Sequence, residues 1–227
     1  MAALLSFEDV CFSYDGNNRV LKHISFTLNK GERVALLGLN GSGKSTLILH
    51  TNGLLQPKEG NVRVDGIDTR SKELSTIRKK VGLVFQNPDD QLFMPTVKED
   101  VAFGPLNMQL SEEEVEQRVN HALRITGTEH LALKFPYELS GGQKKSVSIA
   151  TVLSMNPELL VMDEPSSGLD YAATRNLIEI LKSLPQAMLI STHDMELARE
   201  LCSRALLLEN GTLVYDAPLE SLNYPPF

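Results

Sequence analysis

Gly38-Leu39-Asn40-Gly41-Ser42-Gly43-Lys44-Ser45-Thr46 follows the apolar run Arg33-Val34-Ala35-Leu36-Leu37 and opens a helix-like stretch from Lys44 to about Asn52. A glycine-rich loop between a strand and a helix is the setting in which backbone can wrap a phosphate. The glycines let the chain curl so that successive N–H groups point at phosphate oxygens, and the helix N-terminus adds the positive end of its dipole. In this frame Gly38, Asn40, Gly41, Ser42 and Gly43 form the cradle. Lys44 reaches the β- and γ-phosphates, the Ser45 hydroxyl ligates Mg²⁺, and Thr46 is a further backbone and hydroxyl donor. The plain alternative is a glycine turn that merely joins strand to helix, and the full pattern in this position weighs against it.

Outward from the loop, short apolar runs alternate with helical stretches: Leu159 to Met162, Tyr171 to about Leu184, Ala187 to Ile190, Asp194 to about Cys202. Such alternation predicts βαβ units on a parallel sheet, an α/β fold. Residues up to about Asn29, with Asn61-Val62-Arg63-Val64-Asp65-Gly66, read as strands and turns and predict a small antiparallel sheet beside the main one. Between about residues 87 and 155 the pattern turns helical. Ser111-Glu112-Glu113-Glu114 reads as an N-cap with acid in the first turn, opening an amphipathic helix through Val115, Val119, Ala122 and Leu123. The expectation is one domain over residues 1–227 with a helical subdomain inserted in its core.

Composition excludes several function classes. A chain of 227 residues can bury roughly 70–75% of its unfolded surface around one core. Its 22 Lys and Arg against 29 Asp and Glu give a net charge of −7, without the basic excess that sequence-independent nucleic-acid binding needs, so no nucleic-acid partner is expected. No run approaches the roughly 18 uninterrupted apolar residues of a membrane-spanning helix. Met1 to Asp9 carries no basic leader and meets acid early, which predicts a chain that stays in the cytoplasm. Cys11 and Cys202 sit in no metal or redox motif and are expected to be buried thiols.

Leu159-Leu160-Val161-Met162-Asp163-Glu164 ends an apolar run in two acids, so a buried strand would deliver both carboxylates to the sheet edge where ligands bind. Asp163 would then hold the Mg²⁺ hydration shell, and Glu164 would face the γ-phosphate as general base. Taken alone, any buried strand with a polar end reads the same way, and it is the pairing with the Gly38 loop that favours the chemistry. Ser140-Gly141-Gly142-Gln143 precedes a helical run through Val147, Ile149, Ala150 and Leu153. It is a second anion-binding device or an ordinary N-cap with a glycine turn, and residue physics by itself favours the cap slightly.

The order of phosphate loop, Leu139-Ser140-Gly141-Gly142-Gln143, Asp163-Glu164-Pro165, Ser167-Gly168-Leu169-Asp170 and Ser191-Thr192-His193-Asp194 resembles the nucleotide-binding domain of ATP-binding-cassette (ABC) proteins over nearly the whole chain. The resemblance implies a P-loop NTPase core that uses ATP and Mg²⁺. It implies that Tyr14 stacks on adenine, that Gln86 ends a strand and touches both Mg²⁺ and the attacking water, that Asp170 lies in a loop linking two sites, and that His193 senses the γ-phosphate. It further implies a composite site, the Gly38 loop of one subunit and the Ser140 turn of another sandwiching one ATP, in a homodimer or a heterodimer with a similar ATPase. Two departures stand out: Ser146 where relatives often carry a basic residue, behind Lys144-Lys145, and Tyr171 where they often carry proline. Both bear on helix packing more than on chemistry.

Val84-Phe85-Gln86-Asn87-Pro88-Asp89-Asp90-Gln91-Leu92-Phe93, with Thr96 to Pro105 after it, looks like the ATPases of energy-coupling-factor importers, which take up cobalt, nickel or vitamins. That likeness implies docking on a transmembrane coupling subunit through residues 86–105, a substrate-capture subunit beside it, and a peripheral place on the cytoplasmic face of the membrane. In the bland alternative Leu92 and Phe93 merely anchor the helical subdomain. The chain's end at Asn223-Tyr224-Pro225-Pro226-Phe227 fits the cobalt/nickel or biotin branches. The rival functions are an ATPase of another ABC transporter and a non-transport ABC ATPase; repair members of the latter need a long heptad insertion and translation members need tandem cassettes, and neither is present. A GTPase would want Asn-Lys-x-Asp downstream of the loop, whereas Asn29-Lys30-Gly31-Glu32 lies upstream and ends wrongly. A nucleoside kinase has no use for Ser140-Gly141-Gly142-Gln143.

Overall fold

A computed structural model describes residues 3–222 apart from Asn17, so Asn223 to Phe227 lie outside the described residues. Leu5–Phe12 (β1), Leu21–Leu28 (β2), Glu59–Val64 (β4) and Ile67–Asp68 (β5) pair antiparallel in the order β2-β1-β4-β5. Arg33–Leu37 (β3), Val81–Val84 (β6), Leu159–Asp163 (β7), Ala187–Ser191 (β8), Arg204–Glu209 (β9) and Thr212–Pro218 (β10) form the main sheet in the order β10-β9-β3-β8-β7-β6. Every neighbouring pair in it is parallel except β10 with β9. The helices are Lys44–His50 (α1), Leu74–Lys80 (α2), Val97–Asn107 (α3), Glu112–Ile125 (α4), Gly141–Leu153 (α5), Tyr171–Ser183 (α6) and Met195–Leu201 (α7).

The parallel strands are apolar without interruption because both of their faces are covered. Successive side chains on a strand point to opposite faces, and here the alternation divides them between two cores. Ala35, Leu37, Leu160, Met162, Met188 and Ile190 join the core of α4, α5 and α6 through Val119, Leu123, Val147, Leu177 and Leu181. Val34, Leu36, Leu159, Val161 and Leu189 join the other, with Phe7, Ile24 and Val62 of the antiparallel sheet and Leu47 of α1. The main sheet is thus a middle layer, with α4, α5 and α6 on one side and the small sheet with α1 and α2 on the other. Cys11 and Cys202 are buried free thiols.

Most of the predicted elements form within a residue or two of their predicted bounds, Ser111 capping α4 by accepting from the Glu114 N–H at 3.3 Å. Two features lie outside what periodicity predicts. Arg204 to Glu209 becomes β9, inserted beside β3, and β10 folds back on it as an edge strand. Leu74 to Lys80 forms α2, of which only Ile77 is buried, so no apolar stripe marks it.

The stretch between the neighbouring strands β6 and β7 carries α3, α4 and α5. The backbone of β6 and the side of α5 meet at Gly82, where an added Cβ would stand 2.1 Å from Val152 Cγ1. Gly82→Ala should therefore lower the unfolding free energy by about 1–3 kcal/mol through overpacking, and Val152→Ala in the same chain should return part of it, as read from denaturant midpoints. A neutral Gly82→Ala would show that α5 does not rest on β6 this closely.

Candidate functional site

The phosphate loop leaves β3 at Gly38 and enters α1 at Lys44. Gly38 has φ +146° and Gly43 φ +110°, backbone that side-chain-bearing residues avoid. An added Cβ at Gly38 would stand 2.3 Å from the Leu208 carbonyl of β9, so the start of the loop is pinned to the sheet. The curl folds Lys44 back over its own loop: Nζ donates to the Gly38 carbonyl at 2.7 Å and the Leu39 carbonyl at 3.3 Å. The side chain is buried, and Nζ lies 3.8 Å from Glu164 Oε1. A buried ammonium held by loop carbonyls is placed to exchange them for an anion's oxygens.

The register of the sheet brings the other groups beside it. Leu36 pairs with Ser191, and Ser191 with Asp163. Asp163 Oδ1 accepts from Ser191 Oγ at 2.6 Å. Glu164, one residue past β7, has φ +44°, a left-handed conformation that costs a residue with a Cβ about 1–3 kcal/mol. Its N–H donates to the Ser191 carbonyl at 3.0 Å, which helps hold the turn. Glu164 Oε2 accepts from the His193 N–H at 3.3 Å and lies 2.8 Å from His193 Nδ1, while Oε1 is buried without a hydrogen-bond partner.

Asn40, Gly41, Gly43, Lys44, Ser45, Thr46, Gln86, Asp163, Glu164 and His193 line one cleft of about 410 Å³, together with Ser167, which opens the Ser167-Gly168-Leu169-Asp170 motif, and Val20, which no motif pointed to. Ser45, Gln86 and Asp163 offer it hydroxyl, amide and carboxylate oxygens, a set suited to a hard cation that keeps waters and shares phosphate ligands. The unpartnered Glu164 Oε1 is a further buried oxygen there, whereas Gly38 and Ser42 lie behind the lining. These residues fit Mg²⁺.

Tyr14 stands next to the cleft, its hydroxyl 3.1 Å from Thr46 Oγ1 and its ring edge-on to Phe12 at 5.0 Å. Tyr14 is 62% exposed, leaving aromatic surface open beside the phosphate loop. Ser140, Gly141, Gly142 and Gln143 do not line the cleft. They form the start of α5 as a reciprocal cap, the Gln143 N–H donating to Ser140 Oγ at 3.3 Å and the Ser140 N–H to Gln143 Oε1 at 3.0 Å. Asp170 caps α6, its Oδ1 accepting from the Ala173 N–H at 2.8 Å.

Lys145 is a group that motif reading passed over. It is 2% exposed. Nζ donates to the Gln86 carbonyl at 2.6 Å and the Phe85 carbonyl at 3.4 Å. Burial pushes its ammonium down to about 8, against the opposing pull of Asp163. Its only sequence signal was a lysine on the buried face of a predicted helix.

Residues 86–105 divide. Leu92 is buried, whereas Phe93 is 65% exposed and packs edge-on against the half-exposed Phe103 at 4.9 Å. The buried Asp100 Oδ1 holds the Phe93 and Met94 N–H groups at 3.1 and 3.0 Å, and burial raises its carboxyl above the ordinary value. Beside them a groove of about 330 Å³ runs between Asp89, Phe93, Met94, Phe135, Tyr137 and Lys144. Among the described residues no helix is long and apolar enough to cross a membrane.

A family model described as ABC transporter matches residues 21–167. The energy-coupling factor transporter ATP-binding protein of Methanocaldococcus jannaschii is 48% identical over 216 residues, covering 93% of this chain and 77% of that protein. The solved structure of CbiO1 from Clostridium perfringens, part of the ABC transporter complex CbiONQ, superposes with TM-score 0.87 at 37% identity, covering 97% of this chain and 90% of that one. A dimeric ATP-binding cassette in a post-hydrolysis state, bound to ADP and Pi, superposes with TM-score 0.84 at 30% identity over 96% of this chain and all of that one.

Proposed function

This chain belongs to the ABC transporter family as an ATPase subunit of the energy-coupling-factor type, and from that premise we propose that it energises the import of cobalt or nickel ions, or of a vitamin such as biotin. It would work as a single nucleotide-binding domain with its helical subdomain, about 87–155, set into the core. It would sit peripherally on the cytoplasmic face of the membrane, paired with a second copy or a similar ATPase, on a transmembrane coupling subunit and a substrate-capture subunit. The observation that carries the site assignment is the convergence of Lys44, Gln86, Asp163, Glu164 and His193 on one cleft.

The residues act by position and charge, as phosphoryl transfer requires. Lys44 releases the Gly38 and Leu39 carbonyls and takes β- and γ-phosphate oxygens. Glu164 Oε1, buried and without a hydrogen-bond partner, takes the proton of the attacking water. His193, tied to Glu164 Oε2, orients that carboxylate and reaches the γ-phosphate side. Ser45 and Gln86, with Asp163 through a water, would hold Mg²⁺, which when bound would supply neutralisation of the charge on the transferring phosphoryl group. The capped but exposed Ser140 turn is then the part presented to the ATP of the partner subunit, and Asp170 stands in the loop between the sites.

Glu164→Gln should reduce turnover by about 10²–10⁴-fold while ATP still binds, because the amide keeps the shape and cannot take the proton. Size-exclusion chromatography of that variant should show a dimer with ATP and a monomer without; monomer in both runs would refute the composite site. Tyr14→Ala should weaken ATP by about 1–3 kcal/mol, as loss of a base-on-aromatic stack does, in a calorimetric titration. Wild-type affinity would leave Tyr14 a strand-end aromatic. The exposed aromatic groove supports docking of a short apolar helix from the coupling subunit. Phe93→Ser with Tyr137→Ser should abolish co-purification with that subunit from detergent extracts and keep soluble ATPase activity within about twofold of wild type. Retained assembly would return the segment to a tethering role.

A further inference from the structure

Gln86 lines the cleft from outside any regular element, two residues beyond β6. Something else must fix its direction, and the links from α5 do so. The Phe85 N–H donates to Gln91 Oε1 at 3.1 Å, and Gln91 Nε2 in turn donates to the Ser148 carbonyl and Thr151 Oγ1 on α5, each at 2.8 Å. On the other side Lys145 Nζ takes the Phe85 and Gln86 carbonyls. Further out, Lys144 Nζ pairs with Asp89 Oδ1 at 2.6 Å. The peptide units around Gln86 are therefore gripped at both N–H and C=O by one helix, the helix that begins at Ser140.

An ammonium is a costly means of filling space. Burying it carries a desolvation penalty that an isosteric methionine would not. That penalty is offset by charge-assisted bonds to the two carbonyls that face α5. Asp163, another expected Mg²⁺ group, is the charge whose attraction works against that penalty.

We propose that Lys145 is the positioning residue for Gln86, fixing the carbonyls that set the side chain's direction and making the Ser140 helix start and the Gln86 turn move as one piece. On this assignment, displacement of α5 by a nucleotide held in the partner subunit is passed to Gln86 in the chain's own cleft. The inference rests on the cleft being the ATP site.

The test is a double-mutant cycle on the full chain with Lys145→Met, Gln86→Ala and both, with Glu164→Gln as control. Lys145→Met should lower kcat about tenfold or more, the usual cost of losing a partner behind a metal site, with KM for ATP changed less than about threefold. In the Gln86→Ala background it should cost nothing more, because a residue that acts only through Gln86 has no second route. Binding of a fluorescent ATP analogue should gain affinity on addition of Mg²⁺ in wild type and lose most of that gain in Lys145→Met. Lys145→Arg, which keeps the cation, should recover part of both signals, as packing alone would not. If Lys145→Met is not recovered folded, Lys145→Gln goes through the same cycle. Multiplicative losses in the double variant, or an intact Mg²⁺ gain, would overturn the proposal. An active Glu164→Gln would instead sink the site assignment on which it stands.

Discussion

The parallel register of β3, β8 and β7 is the constraint from which the site follows. Once Leu36 is opposite Ser191 and Ser191 opposite Asp163, the segments leaving the three strands emerge abreast at one edge, and each contributes its polar residues there. The Gly38 loop brings Lys44, the turn after β7 brings Glu164, and the turn after β8 brings His193. A slip of one residue in any strand would exchange the faces of its side chains, sending half of each apolar run into the wrong core. The two hydrophobic layers thereby protect the geometry of a cleft that neither of them touches. The site is accurate because the sheet has no other way to bury itself.

Within the cleft two of the charges, Lys44 and Glu164, are arranged so that neither is satisfied completely. Lys44 is held by carbonyls of its own loop and by a carboxylate at 3.8 Å, beyond hydrogen-bond reach. Glu164 satisfies one oxygen through His193 and leaves the other bare. A folded protein tolerates such shortfalls where a ligand or reacting water completes the set. The left-handed backbone at Glu164 is a second cost in the same place. Both fall on the residue from which the proposed mechanism asks most.

Much of this was legible in the sequence, for physical reasons that also explain the exceptions. Gly38 to Thr46 announced itself because only a loop of small residues can turn its N–H groups inward, and Leu159 to Glu164 because a buried parallel strand is apolar to its end. The helix opened by Ser111 was visible through its cap and its stripe. What stayed hidden was set by contacts distant in sequence. Arg204 to Glu209 looks like any short apolar run until β3 offers it an edge. Ser191 became a partner of Asp163 only through sheet register. Lys145, read as one of two adjacent lysines, was hidden because solvent exposure is the usual fate of a lysine, and nothing local says that two carbonyls 59 and 60 residues earlier will lie against it. The composite site was inferred from the resemblance alone, and the cap at Ser140 shows why local physics could not decide it: the same geometry serves an ordinary helix start.

That cap also bears on why a single chain would be an incomplete catalyst on the proposed reading. The cleft opens to solvent, His193 is 59% exposed, and electrostatic stabilisation of a transferring phosphoryl group gains most where water is excluded. Among the described residues the Ser140 turn does not line the cleft and belongs to a different face. A second copy can supply the cover only if its Ser140 turn meets the first chain's Gly38 loop. Each chain has one of each, so satisfying one site by a two-fold rotation satisfies the other, and the assembly closes at two. Nucleotide would then be buried between subunits and act as part of their interface. On the proposed reading, binding energy that holds the pair together with ATP would be lost once the γ-phosphate is gone, and this difference in affinity between the two nucleotide states is what a membrane partner gripped at residues 86–105 would convert into movement.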